Sequence, residues 1–406
     1  MAHLLGLYRV PQVSYFSTTS ILSDRSQFLS FFRTVPSDSF QFIGLAQLLQ
    51  HFGWTWVGLL ATDNDYGQEA MRTLKQEIGK MGFCVAFSET LLTSRSDRDA
   101  FYIVQVIRRS TANAIVVFLT EVDMVILLEE MVRQKITGKT WIASEAWSTS
   151  ALLSNPKYSG VLFGTTGLSI QRGDIPELKE FLNSINPAKD ADDIFVEEFW
   201  EENFGCKWAN QKDYLGSTEN RTKVCTGSEK MAETQSMYND VTNLHITCGV
   251  YNTVYAIAMA FQAILSCTKG QGPFLNGACA DILDFQPWQL LHYIKQTHFK
   301  TPIGTELSFD RYGNPLARYD VVNWQLGPEG TIRHVTVGTY DANAPPMKNL
   351  VLNESAIFWA ASNSAQILQS VSDVHGTSGL MPGKINAIKE QKSSLGLKKH
   401  WEPSWL

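Results

Sequence analysis

The chain has 406 residues, of which 44% are hydrophobic and 18% charged, with a formal net charge of -6. This length and apolar content suit two or three packed lobes and exclude a disordered chain. The acidic balance offers no basic face for nucleic acid. No apolar run reaches the roughly 18–20 residues of a bilayer span. Met1-Ala-His-Leu-Leu-Gly-Leu-Tyr-Arg has no basic segment ahead of an apolar core, so it does not read as a signal peptide. On those grounds alone the chain reads as a soluble cytosolic protein.

Pro11-Gln-Val-Ser-Tyr leads into the polar Phe16-Ser17-Thr18-Thr19. Pro36 followed by Ser37 and Asp38 marks a helix start, with either residue as N-cap and the apolar spacing of a helix over 40–51. Residues 54–62 are rich in Trp, Val and Leu and read as a buried strand, running into Thr62-Asp63-Asn64-Asp65-Tyr66-Gly67. A helix over 67–81 ends at Gly82, and 84–89 reads as a strand. Helix 98–110, strand 114–119, helix 123–134 and strand 141–144 follow, the last running into Ser144-Glu145-Ala146-Trp147-Ser148. Strands alternating with helices of about a dozen residues predict a parallel sheet covered on both faces.

Residues 160–169 are strand-like, while 175–185 and 196–204 are helical. The stretch 207–240 is polar and poor in aliphatics, and reads as a surface insertion. Residues 241–265 form the longest helical run, apolar on most sides and therefore predicted to be buried. A helix over 287–298 precedes antiparallel strands at 307–309, 319–326 and 332–341. Residues 360–406 are rich in Ser, Lys and Gly with weak periodicity, and are expected to be poorly ordered.

Cys206 and Cys225 flank part of the polar insertion, and Cys267 and Cys279 flank a turn-rich segment. Each pair reads either as a disulfide, which belongs to an oxidising compartment, or as free buried thiols. Asn220-Arg-Thr and Asn353-Glu-Ser are glycosylation sequons. Ligands of open parallel sheets bind beyond the carboxyl ends of the strands. The hydroxyls, carboxylates and rings that follow these apolar runs suit a small cationic or zwitterionic molecule. Asp63, Asp65 and Glu145 supply oxygens, but no loop offers the six or so ligands of a calcium site, so no metal or other cofactor is expected. The chain carries no Gly-x-Ser-x-Gly, no Walker loop and no Gly-x-Gly-x-x-Gly after a strand, so no catalytic residue is nominated.

Several motifs carry a resemblance. They are Leu4-Leu-Gly-Leu-Tyr-Arg-Val-Pro-Gln-Val-Ser-Tyr, Phe31-Phe-Arg-Thr-Val-Pro-Ser-Asp, His51-Phe-Gly-Trp-Thr-Trp-Val-Gly, Asp63-Asn-Asp-Tyr-Gly, Trp141-Ile-Ala-Ser-Glu-Ala-Trp, Phe199-Trp-Glu-Glu and Asn276-Gly-Ala-Cys-Ala-Asp-Ile. Over about residues 4–359 the chain resembles the extracellular module of class C G-protein-coupled receptors. It is most similar to vomeronasal type 2 and fish olfactory receptors, with the calcium-sensing receptor next. The resemblance implies an α/β, bilobed Venus flytrap of the type I periplasmic-binding kind, which holds an amino acid or peptide-like ligand between its lobes. It implies a remnant of lobe 1 in 1–36 and the first part of lobe 2 in 37–171. The second part of lobe 1 would lie in 172–300, the closing strands of lobe 2 in 301–359, and a divergent tail in 360–406.

By resemblance, Ser17 and Thr18 sit at the first lobe's site for the ligand's amino acid group, and Asp38, Tyr66 and Glu145 at second-lobe or hinge contacts. A carboxylate suits a ligand ammonium, and a tyrosine face adds a cation–π contact. The resemblance further implies a homo- or heterodimer through lobe 1, a plasma-membrane parent with this region outside the cell, and G-protein coupling through a heptahelical domain. In the family, lobe 1 begins before the position of Met1, and a cysteine-rich domain and seven transmembrane helices follow the position of Trp359. The family's counterpart of Cys84 pairs with the cysteine-rich domain, so Cys84 is expected to be unpaired.

Structural roles stand beside these. Asp38 serves equally as a helix cap, Tyr66 as a turn aromatic, and Ser17 and Thr18 as partners of local backbone donors. The alternatives to a receptor region are a soluble secreted ligand-binding decoy and a nonfunctional truncated product.

Overall fold

A strand such as Trp56-Val-Gly-Leu-Leu-Ala-Thr has almost nothing polar to show solvent, so both of its faces need cover. In the computed structural model it lies inside an eight-stranded sheet. The structure describes residues 1–92, 96–171, 173–187, 193–208, 223–234, 238, 241, 244–327, 330–345 and 348–359. It opens with α1 (Ala2–Leu7) and with β1 (Gln12–Ser14) paired in parallel with β2 (Phe31–Arg33). The large sheet draws on β3 (Trp56–Thr62), β4 (Cys84–Leu91), β5 (Ala114–Phe118), β6 (Thr140–Ala143) and β7 (Thr166–Ile170). These run parallel in the spatial order β4-β3-β5-β6-β7.

The helices between them are α2 (Asp38–His51), α3 (Asp65–Lys80), α4 (Ser96–Arg109), α5 (Glu121–Arg133) and α6 (Ser159–Leu162). Residues of period two then divide the core. Val57, Leu59, Ala61, Val116 and Phe118 face Leu45, Leu48 and Leu49 of α2 and Leu74 of α3. Leu60, Ile115 and Val117 fall in a second core with Ile103, Val104 and Ile107 of α4 and Leu127 and Leu128 of α5. Gly44 lets α2 sit directly on the sheet, because a Cβ there would press 2.6 Å from the Tyr340 ring. The chain passes from β3 outward to β4 and then returns to the other side of β3 for β5. This creates a topological switch point at the carboxyl ends of β3 and β5.

Beyond β7 come α7 (Leu178–Ser184), α8 (Ile194–Phe204), the short parallel pair β8 (Cys206–Lys207) and β9 (Lys223–Val224), α9 (His245–Leu265) and α10 (Pro287–Lys295). β10 (His298–Lys300) pairs antiparallel with β11 (Glu306–Ser308). β12 (Arg318–Leu326), β13 (Ile332–Asp341) and β14 (Leu350–Leu352) extend the large sheet antiparallel beyond β7. The architecture is thus α/β, a mostly parallel sheet flanked by helices. A third core gathers Phe32, Ala260, Ile264, Ala280, Tyr293 and Ile294 around α9 and α10.

The structure departs from the sequence reading in three places. Residues 160–169 are not one strand. Ser159–Leu162 is helical, Gly164 turns the chain at positive φ, and β7 begins at Thr166, while the Val161 carbonyl is held by the Trp141 indole at 2.9 Å. The helix predicted to reach His298 stops at Lys295. His298 instead starts β10, tied across to Glu306 at 2.7 Å. Finally, α9 is not buried on most sides. It buries Gly249, Ala256, Ala260 and Ile264 but exposes Ile246, Val250 and Val254 at a spacing of one turn. At 21 residues it is long and apolar enough to cross a membrane by length and composition, contrary to the sequence reading. Its small-residue face nevertheless packs into the third core.

Cys206 is bonded to Cys225 and Cys267 to Cys279. The Cys84 thiol is free and exposed, and the Cys248 thiol is free, buried and donates to the Gly173 carbonyl at 3.0 Å. Asn353 is exposed, and its side-chain oxygen accepts from Ser355 at 2.7 Å. Asn220, much of 207–240 and the tail from 360 onward lie outside the described residues.

Candidate ligand-binding site

The site is assembled from segments that leave the carboxyl ends of strands. After β3, Thr62 donates to the Asn64 side chain at 2.7 Å, and that oxygen accepts from the Gly67 amide at 3.0 Å. Asn64 therefore caps α3 and fixes Tyr66 in its first turn. Gly67 is required here, because a Cβ would collide with the Thr62 carbonyl. Gly67→Ala is expected to lower stability by about 1–3 kcal/mol. Gly79→Ala, on the same helix with open space around it, should raise stability slightly. Thermal melts of the two variants side by side check this, and equal shifts would refute it.

After β6, Ser144 and Glu145 sit in a loop pinned by indoles. Trp147 donates to the Val117 carbonyl at 3.0 Å, and Trp324 to the Ser148 carbonyl at 2.7 Å. Gln41 of α2 joins this loop to Asp38. Its carbonyl oxygen accepts from the Glu145 amide at 2.9 Å, and its amide donates to the Asp38 carboxylate at 3.2 Å.

The segment after β1 is held by Arg33, which is fully buried. Its guanidinium donates to the carbonyls of Ser17, Thr18 and Thr19 at 3.1, 2.7 and 2.8 Å, to Asn314 at 2.8 Å, and to Ser23. The Thr18 carbonyl also accepts from the Asp38 amide at 2.9 Å. Thr19 donates to Glu69 of α3 at 3.2 Å, and Ser20 donates to the same carboxylate.

Two carboxyls in this enclosure titrate near neutrality, far above the usual carboxylate range. Burial pushes Asp38 up to about 7, with Glu69 adding to the rise and Thr18, Arg33 and Gln41 pulling it back. Burial, then the Asp38 charge, pushes Glu145 up to about 8. Burial and the same two carboxyls push the phenols of Tyr66 and Tyr319 well above their ordinary range. Arg33 is pulled down to about 10 by burial, so it stays charged at neutral pH. Asp38 Oδ2, Tyr66 Oη and Ser144 Oγ are buried, with the Thr18 hydroxyl set against the Asp38 carboxyl and the Ser144 hydroxyl against the Tyr66 phenol. The Tyr66 ring and Glu145 keep some exposure. The arrangement gathers two carboxyls and a partly exposed tyrosine, a set of oxygens and a ring that suits a small cationic group able to displace a proton.

Thr18, Asp38, Tyr66 and Glu145 are thus brought together. Ser17 is exposed and reaches the cluster through its carbonyl on Arg33. Asp38 is not the helix cap. Ser37 holds the N-cap position and Asp38 is the first helical residue, its carboxyl turned to Gln41. Arg33, Gln41 and Tyr319 were missed. The one available signal was a charge inside Phe31-Phe-Arg-Thr-Val, an apolar run where an arginine needs buried acceptors. Among the described residues, no three His, Cys, Asp or Glu side chains come together as a metal site. A separate cavity of about 60 Å³, lined by Thr34, His245 and Asn252 among others, has room for about two waters.

The family model described as the receptor family ligand binding region matches residues 1–327. The chain is 38% identical over 379 residues to the extracellular calcium-sensing receptor of Sus scrofa, covering 89% of this chain and 35% of that protein. It is 32% identical over 372 residues to taste receptor type 1 member 1 of Mus musculus, covering 89% and 40%. It is 28% identical over 338 residues to metabotropic glutamate receptor 8 of Rattus norvegicus, covering 82% and 36%. The chain belongs to the class C receptor ligand-binding family. This Venus flytrap module spans between 35% and 40% of the length of those receptors. These relatives are receptors rather than enzymes.

Proposed function

We propose that this Venus flytrap module captures an amino acid or peptide-like ligand through its ammonium group, as the extracellular region of a chemosensory class C receptor. The observation that supports the reading is the gathering of Asp38 and Glu145 about Tyr66, two carboxyls pushed up towards neutrality by burial. Residues 37–171 and 301–359 form one lobe, and 1–36 and 172–300 the other. The ligand's higher affinity for the closed arrangement shifts the receptor equilibrium toward signalling. A lobe 1 dimer at the plasma membrane, and a G protein engaged through a heptahelical domain, complete the reading.

Titration calorimetry tests the proposal. L-phenylalanine is compared with phenethylamine, which lacks the carboxylate, and 3-phenylpropionate, which lacks the ammonium. The first two are expected to bind and the third is not. Glu145→Ala should weaken the first two about 30-fold or more, the loss of a buried charged partner. Equal binding of phenylpropionate, or unchanged affinity in Glu145→Ala, would overturn the ammonium assignment.

A further inference from the structure

A second cavity, of about 430 Å³, lies between the segment after β1, α10 and the turn at Arg311. Its volume falls in the range of small-molecule sites. Arg9, Arg25, Lys295 and Arg311 line it, and no acidic residue does. No ion pair is formed by any of the four among the described residues. Arg25 is the most deeply set, and burial pushes its guanidinium down, with Asp310 acting against the fall. Its donors are directed at the carbonyls of Phe28, Leu29, Phe31 and Arg311, and its plane lies 4.8 Å over Phe32. Gathering like charges around a hollow costs stability unless a counter-charge enters.

The remaining wall is aromatic. Phe274 and Trp288 meet edge to face at 5.0 Å, and the Trp288 ring is 42% exposed. His292 packs against Phe274 at 5.4 Å, and its Nε2 is buried with no partner among the described residues. Burial and Lys295 push His292 down, so at neutral pH it carries a neutral ring. Cations facing flat apolar rings recognise a molecule that has both characters.

We propose that this cavity binds an organic anion with a flat apolar body, an aromatic carboxylate, sulfonate or phosphate ester. Arg311 and Lys295 pair with the anionic head, and Trp288 and Phe274 stack on the body. None of the ammonium-site residues lines it, so the two sites share no contact residue.

The test titrates the full chain with naphthalene-2-sulfonate, alongside neutral 2-naphthalenemethanol and inorganic sulfate. Saturable one-site binding of the sulfonate is expected, with both comparison compounds at least 10-fold weaker. The Lys295→Glu, Arg311→Glu double variant should weaken the sulfonate by 10-fold or more, and Lys295→Gln, Arg311→Gln by an intermediate factor. The milder pair keeps the comparison valid if charge reversal disturbs folding, which circular dichroism reads. Asp38→Asn should leave sulfonate affinity unchanged, which separates this proposal from the ammonium site. No saturable binding, equal binding of the neutral analogue or of sulfate, or indifference to all charge substitutions would each overturn it.

Discussion

The Arg33→Met protein is expected to unfold about 3–5 kcal/mol more readily than its parent, a cost typical of removing one partner from a buried charged network. Methionine fills much of the volume, so the loss is polar. The Ser17, Thr18 and Thr19 carbonyls, the Asn314 side chain and the Ser23 hydroxyl all lose the guanidinium at once, although the Thr18 carbonyl keeps the Asp38 amide and Asn314 keeps Ser23. Asp38 also loses the cation that restrains its upward shift. Arg33→Lys keeps the charge but not the planar fork, and should fall between the two. Urea midpoints order the three proteins, and a methionine variant as stable as the parent would dismiss Arg33 as the anchor of this segment. Ligand affinity should fall with the lysine variant even where folding is kept, because the 17–19 backbone is then free to move.

Asp38→Asn is expected to act in the opposite direction on stability while removing ligand capture. The carboxyl is pushed from an ordinary 3.8 to about 7 in the folded state. The folded chain therefore holds a proton that the unfolded chain releases between these values, and stability from this group is greatest below about pH 4 and lost as pH rises to 7. Asparagine resembles the protonated carboxyl and still accepts from Gln41. At pH 8 the variant should be more stable by up to about 4 kcal/mol, roughly 1.4 for each pH unit of the shift. At pH 4 the two proteins should be nearly equal. Denaturation at pH 4, 6 and 8 reads the difference, and parallel profiles would sink the account. A binding residue that weakens the fold carrying it is the expected signature of a functional carboxylate.

The large sheet was legible in the sequence because its strands are apolar on both faces and its helices carry caps and stops. Trp56–Thr62, Ala114–Phe118 and Thr140–Ala143 emerge within a residue or two of their expected bounds. The polar runs that follow them pointed to Tyr66 and Glu145 for the same reason, since hydroxyls and acids stand out after a buried strand. Gln41 was illegible, and Arg33 declared only that it needed buried acceptors, not which ones. Each acts through partners far away in the chain, Asn314 and Glu145, and distance in sequence hides such pairs. Which of Ser37 and Asp38 caps the helix could not be read locally, since both fit after Pro36; Ser37 takes the position and Asp38 is buried towards Gln41. The strand β10 and the exposed side of α9 escaped notice because three residues carry little periodicity, and a helix with apolar residues on every side does not declare which one is covered.

The crowding of Asp38 and Glu145 has a consequence for what capture exchanges. Arg33, Glu69, Gln41 and the Thr18 hydroxyl act on Asp38, Tyr66 and Tyr319 feel both carboxyls, and the one fixed positive charge acts on Asp38 and leaves Glu145 without a cation. If the proposed site is right, the enclosure is a weak acid near neutrality, and a bound ammonium displaces a proton rather than filling a ready-made pair of anions. Ligand uptake becomes cation-for-proton barter. The acidity of the surrounding fluid then enters the occupancy as directly as the ligand's own concentration does, and a sensor built this way reports the two together.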